Sequence, residues 1–376
     1  MTCLLGPAPP LKQVPKDEQR KRLAEAVCGM AIALIRPYRR EMVTKSLDKL
    51  LAVWLLSVAL LPLTAWSQTR PIRMESVSIS PDGKTIAVDF IESKTSHIFL
   101  IALDTGKATR LTNDNKGQES DLNFSPDGKH IAYTYFPPNG EGSRIMVGNA
   151  DGSDLHAWSP SRGSVRDFSP VFSPDNKTMI FSRSRFYGNY SAIAQPHYHA
   201  WDFYVADVDG TNIRQLTHES FYNTSRISVS PDGESMVVMT EDLDTPRKVA
   251  IYSLDHPEKP SQFFRPHVPK EADRKNPIFN CPNFMPDGKS ILFMAASEGR
   301  HGYDYDVYRL DLGTGAVERL TKGNGYATDL RVFIDGKTAA FLKWRSDWHA
   351  TPVTSELYLL DLQTRNITPL KVSGLN

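Results

Sequence analysis

Short runs of alternating apolar and polar residues, each broken by the same tight turn, recur along this chain from residue 77 onward. Val77 and Ile79 stand two apart before Ser80-Pro81-Asp82-Gly83, and Ile86 and Val88 stand two apart after it. The arrangement returns as Leu122 and Phe124 before Pro126-Asp127-Gly128, with Ile131 and Tyr133 following. Period-two apolarity on both sides of a Pro-Asp-Gly break predicts a hairpin. Proline presets φ for the first turn position, the aspartate bonds the backbone ahead, and glycine takes the left-handed corner. A third apolar run follows in every unit, as HIFLIALD, RIMVGNAD, DFYVADVD, VAIYSLD, DVYRLDL and ELYLLDL. A fourth ends in Arg110-Leu111-Thr112, Leu216-Thr217 or Arg319-Leu320-Thr321.

The turn aspartates are Asp82, Asp127, Asp175, Asp232, Asp287 and Asp335, at spacings of 45, 48, 57, 55 and 48 residues. Four short strands repeating with that period predict an all-β chain: a six-bladed β-propeller with four antiparallel strands per blade. The first unit opens on an innermost strand and the last closes on an outermost one. No strand is left over to lock the ring, so closure is expected to rest on packing between blades one and six.

With these units in view, the chain resembles the propeller of TolB-like periplasmic proteins, which carry the same SPDGK…IYxxD…LT pattern. The resemblance covers about Arg73 to Leu370 and implies the fold; propellers attached to peptidases and polysaccharide lyases carry similar turns. That family places an α/β domain between signal peptide and propeller, whereas here Arg70 runs almost directly into blade one.

Upstream, Leu50–Leu63 is an apolar run of 14 residues interrupted only by Ser57 and Pro62. A membrane span needs about 20 such residues and a signal-peptide core roughly 7–15. Ala65-Trp66-Ser67 offers small residues where a signal peptidase reads, which predicts cleavage before Gln68 and a periplasmic or secreted product. The expected organisation is a mis-start or basic cytoplasmic tail over 1–41, a signal peptide over 42–67, and the propeller over 68–376. The tail reading would keep the run as an anchor, because ten Lys and Arg residues precede it. Cys3 and Cys28 fall in the leader, so the mature chain has only Cys281 and no internal disulfide. A net charge of +1, without a basic run on the propeller, argues against a nucleic-acid partner. The mature form is expected to be soluble and not membrane-spanning.

Loops joining second and third strands open on the face opposite the Pro-Asp-Gly hairpins, and they are the long ones: Arg185–Ala200, Arg265–Asn280 and Arg345–Ser355. Long loops on a rigid scaffold are where binding usually sits. His97, His197, His199, His218, His267, His301 and His349 map to these loops. Aromatic and Arg side chains gather there too, which makes Arg185, Tyr187, Tyr190, Tyr198, Trp201, Tyr222, Tyr303, Trp344 and Trp348 the candidate partner-binding residues. Their alternative role is to pack their own loops.

Gln195-Pro196-His197-Tyr198-His199 is the sharpest local string, because residues two apart in an extended segment point the same way. Gln195, His197 and His199 are therefore the candidate ligands for one divalent metal. Oligogalacturonate lyases, also propellers, bind a metal through histidines and a glutamine, so the string is similar in kind, though differently spaced. Six residues before the turn aspartates, Asp121, Arg226 and Asp329 stand where other blades have Ser76, Ser169 and Cys281. This trio would sit at the channel mouth, binding an ion or a partner's side chain, or neutralising one another. No GxSxG elbow, Walker loop, HExxH or CxxC appears. The first reading is thus an exported scaffold without a cofactor, holding an envelope protein, a peptidoglycan-associated partner or a glycan on its long-loop face. The alternative is a metal-assisted carbohydrate enzyme on the same face.

Overall fold

The computed structural model of the protein describes residues 73–375, apart from 93, 114–115, 141, 160–164, 190–195, 225, 242–247, 265–278, 300–301 and 345–353, and without the side chains of 297–304. The leader and its division at residues 41 and 67 lie outside the described residues. Blade one comprises β1 (Val77–Ile79), β2 (Thr85–Glu92), β3 (Thr95–Ala102) and β4 (Ala108–Arg110). Blade two follows with β5 (Gln118–Phe124), β6 (His130–Phe136), β7 (Arg144–Asn149) and β8 (His156–Ala157). Blade three has β9 (Arg166–Phe172), β10 (Thr178–Gly188), β11 (His197–Asp207) and β12 (Arg214–Gln215). In blade four the innermost strand is split into β13 (Asn223–Thr224) and β14 (Ser228–Val229), before β15 (Ser235–Glu241), β16 (Lys248–Ser253) and β17 (Gln262–Phe264). Blade five holds β18 (Phe279–Phe284), β19 (Ser290–Gly299), β20 (Gly302–Asp311) and β21 (Val317–Arg319). Blade six ends the series with β22 (Ala327–Val332), β23 (Thr338–Trp344), β24 (Ser355–Asp361) and β25 (Ile367–Pro369). All six sheets are antiparallel with strands in chain order, which is the propeller that the repeat predicts.

The turn chemistry recurs from blade to blade, with one change in the last two. Ser80, Ser125 and Ser173 each donate their hydroxyl to the turn aspartate two residues on, at 2.6 Å. That carboxylate also accepts the amide two residues further, as from Lys84 at 3.0 Å and Lys337 at 2.8 Å. Five turns place glycine in the left-handed region, and blade three places Asn176 there at φ +58°. Asparagine is the side chain that tolerates this corner best, which explains why SPDN can replace SPDG. Blades five and six lack the serine. Met285 and Phe333 stand in its place, buried at 2% and 6% exposure, so packing replaces the hydroxyl there.

Each blade is buried on both faces, and every apolar cluster bridges two neighbouring blades. Ile86 and Val88 pack with Ala340 and Leu342 of blade six, while Ala87 and Ile98 pack with Leu122 and Ile131 of blade two. This explains why the strand after each turn reads as a nearly continuous apolar run rather than a clean alternation. Four residues before the turn aspartate, a polar side chain reaches the next blade's innermost strand. Asn123 donates to the Pro170 carbonyl at 2.7 Å and Asn283 to Leu330 at 2.9 Å. Ser78 and Ser228 accept the amides of Phe124 and Phe284, each at 3.1 Å.

The seam between blades six and one uses the same device. Arg331 donates to the Val77 carbonyl at 2.9 Å, and Asp329 accepts the Val77 amide. Ser355 is bonded to both the amide and the carbonyl of Met74, at 2.6 and 3.0 Å. Packing between these blades closes the ring, as the sequence implies. It is reinforced by a segment that sequence reading overlooks: Ser373 runs parallel to β4, accepting the Ala108 amide at 2.8 Å and donating to Gly106 at 2.9 Å.

Candidate binding site at the channel mouth

Six residues before their turn aspartates, Asp121, Ser169, Cys281 and Asp329 all adopt positive φ, between +49° and +56°. The strand pairing slips one register at each, forming a bulge. The slip frees these positions from the ladder and re-aims their side chains. The structure brings the predicted trio together on the ring axis, from blades two, four and six. Arg226 Nε lies 2.6 Å from Asp121 Oδ1, and its Nη1 lies 3.2 Å from Asp329 Oδ1. Arg331 Nη2 approaches Asp329 at 3.6 Å. Two buried carboxylates thus face two buried guanidiniums, and their formal charges cancel. Burial pushes the Asp121 carboxyl up, against the pull of Arg226. Desolvation works against the Arg226 charge, but Asp121 and Asp329 more than offset it and hold its pKa up.

Asp89 of β2 is fully buried. Its Oδ1 accepts the amides of Glu75 and Ser76, both at 2.7 Å. Its Oδ2 has no hydrogen-bond partner among the described residues. Desolvation outweighs the two amide bonds and pushes this carboxyl up to about 7.

Beyond this plug, on the long-loop face, a cavity of about 710 Å³ opens over blades one to three. Arg73, Gln118 and Arg166 line it, and all three stand nine residues before their turn aspartates. Phe136, Pro137 and Phe168 form an apolar wall, with the two phenylalanine rings 6.1 Å apart and tilted by 58°. Of its carboxylates, Glu75 is paired with Arg73. Glu119 is buried and accepts the Ile98 amide and the Thr112 hydroxyl. Arg73 lies over the Trp344 ring at 5.4 Å. Arg166 lies over Tyr198 at 4.1 Å and Phe136 at 5.1 Å.

Several residues named from sequence surround this cavity as supports. Tyr198 holds Arg166 and accepts the Gly142 amide at 2.9 Å; Trp344 holds Arg73 and packs on Tyr326 at 4.7 Å. The segment expected as a loop at 185–200 is in part a continued hairpin, with Gly188 paired to His197. On it, Tyr187 and Tyr198 meet at 4.9 Å on one face, while Phe186 and His199 meet at 4.4 Å on the other. Arg185 is exposed and lies over Tyr204 at 5.4 Å. Trp201 is buried at 8% exposure in the cluster between blades three and four. Tyr222 sits edge-on to His197 at 5.5 Å. His197 and His199 lie side by side with ring centres 5.3 Å apart. Among the described residues, no three His, Cys, Asp or Glu side chains gather as a metal site. Tyr190, Gln195 and Trp348 lie outside the described residues, as does the side chain of Tyr303. His97 is buried within β3 rather than on a loop.

Sequence reading missed Arg73, Lys94, Phe136, Arg166 and Phe168. A signal for the arginines was available: the position nine before the turn aspartate reads Arg, Gln, Arg in blades one to three, then Asn, Ile, Tyr. The two phenylalanines carried no such mark, since one ends β6 and the other lies within β9 like any core residue.

No family model matches the chain. Dipeptidyl-peptidase 5 of Porphyromonas gingivalis is 26% identical over 307 aligned residues, covering 69% of this chain and 42% of that protein. The chain therefore spans less than half of that relative's length. Among solved structures, TolB from Acinetobacter baumannii superposes with a TM-score of 0.54 at 16% identity, over 78% of this chain and 62% of the other. An oligogalacturonate lyase in complex with manganese gives 0.53 at 15% identity, over 78% and 77%. Among the described residues no helix is long and apolar enough to cross a membrane. The chain shares the six-bladed propeller fold of TolB and its structural relatives.

Proposed function

We propose that this propeller is an exported binding scaffold whose long-loop face holds an envelope protein or a peptidoglycan-associated partner. The observation that carries the reading is the projecting β10–β11 hairpin. Phe186 and Tyr187 there are 49% and 54% exposed, beside a cavity flanked by stacked arginines. Aromatic and Arg side chains around a concavity are what protein-recognition centres are built from. The fold similarity to TolB supports this reading without identifying the partner.

The test is affinity capture from an envelope extract with the full chain as bait, with and without a chelator. A specific partner in both arms, lost on Phe186→Ala with Tyr187→Ala, is the expected result. Recovery that ignores both substitutions would remove the long-loop face from the proposal. The second reading, a metal-assisted carbohydrate enzyme, is favoured by the adjacent His197 and His199 rings. It predicts a bound divalent metal that chelation strips and that His199→Ala abolishes.

A further inference from the structure

Four arginines of the interior are each held beside a carboxylate. Arg183 reaches Asp167 through two bonds of 2.6 and 2.9 Å. Arg319 has Asp306, while Arg226 and Arg331 share the channel carboxylates. Each of these cations was removed from water together with its counter-charge, as burial demands. Arg166 differs from these four. It is half-buried on the cavity wall, held by two ring faces, and no carboxylate lies in ion-pair range among the described residues. Its Nε is buried without an acceptor among them. Ring faces position a guanidinium and leave its in-plane donors free for a bidentate acceptor. Along the same wall, Phe136, Phe168 and Pro137 present apolar surface, and on the far side Lys94 adds an exposed cation.

We infer that Arg166 is the anchor for a peptide carboxylate, a C-terminus or an Asp or Glu side chain, that lies next to an apolar side chain in this cavity. The inference rests on the long-loop face being the binding face and names the chemistry recognised there. An apolar residue beside its own carboxylate matches the juxtaposition of the Phe136–Phe168 corner with the guanidinium. A uronate would instead turn hydroxyls toward that corner, where the rings offer no hydrogen-bond partner. Arg73 contributes less, since Glu75 already neutralises it.

The experiment measures binding of fluorescent tetrapeptides to the full chain. One ends in Leu with a free carboxylate, a second is its C-terminal amide, and a third is an amide with an internal Asp beside Leu. Trigalacturonate serves as the glycan comparison. Binding of the first or third peptide, at least tenfold tighter than the second, is expected. Which of the two binds identifies the source of the carboxylate. Arg166→Gln should lose that tenfold preference with an unchanged melting temperature, and Arg166→Lys should restore only part, because a point charge lacks the fork. Equal binding of acid and amide, an unchanged preference in Arg166→Gln, preference for trigalacturonate, or no peptide binding would each overturn the inference. The face reading fails separately, only if envelope capture ignores Phe186→Ala with Tyr187→Ala.

Discussion

The two faces of this ring obey different rules. On the turn face, six hairpins repeat one hydrogen-bond pattern, and a departure such as Asn176 or Met285 is made good by the same local geometry or by packing. On the long-loop face nothing repeats. Arg73, Gln118 and Arg166 share one repeat position with Asn223 and Tyr326, and the cavity over blades one to three is lined by the first three. Repetition therefore builds the frame, and the breaks in repetition build the site. The channel plug lies between the two regimes: its bulges recur in four blades, but its charges do not.

Removing one member of the channel plug should give the largest effect. Asp329→Ala takes from Arg331 its nearest carboxylate and leaves Arg226 with Asp121 alone, and a loss of about 3–5 kcal/mol is expected in urea unfolding. Asp89→Asn should act in the opposite direction and depend on pH. Its folded pKa of about 7 lies above the unfolded value of 3.8, so the folded state holds a proton that the unfolded state has released. Stability from this site is full below pH ~4 and is lost as pH rises towards ~7. The amide should remove that slope and gain on the order of 1–3 kcal/mol at pH 8. Thermal melts across pH 4–8 would read it.

On the turn face the expected effects are smaller. Gly128→Ala places a Cβ at φ +71° with only Pro81 nearby, at 3.6 Å, so the cost is backbone strain of about 1–2 kcal/mol. Ser125→Ala should cost about 0.5–1 kcal/mol at neutral pH, because the Ser125 hydroxyl holds the Asp127 carboxyl down in an exposed, screened turn. That difference should fade as pH falls through the lowered pKa of Asp127, where wild type loses the bond as well. At the small end, Phe186→Ala should move stability by less than about 0.5 kcal/mol, since half of the ring is exposed and it packs on His199 at the hairpin surface rather than in an inter-blade cluster. If it moved stability as much as Gly128→Ala, the hairpin would belong to the frame.

The same division governs what could be read from sequence. The blades were legible because strand, turn and cap chemistry are local and occur six times over. The channel trio was legible because aligning the units put Asp121, Arg226 and Asp329 in one column. The cavity was not, because its wall joins Arg73, Phe136 and Arg166 from three blades, and their adjacency depends on how successive blades stack. Trp201 illustrates the reverse error. An aromatic near a long insert reads as a surface anchor, yet the continued hairpin drops it into the core between blades three and four.

The seam has a consequence for the order of assembly. Contacts within a blade join residues a few tens apart in sequence, whereas Met74–Ser355 spans 281 residues and Asp329–Val77 spans 252. Loop-closure entropy delays such distant pairings until the intervening chain is already compact. Blades one to five must therefore wait as an open arc, with Val77 and Phe90 uncovered, until blade six arrives. Protection of the Val77 amide would time the last event in folding, and its loss would time the first in opening.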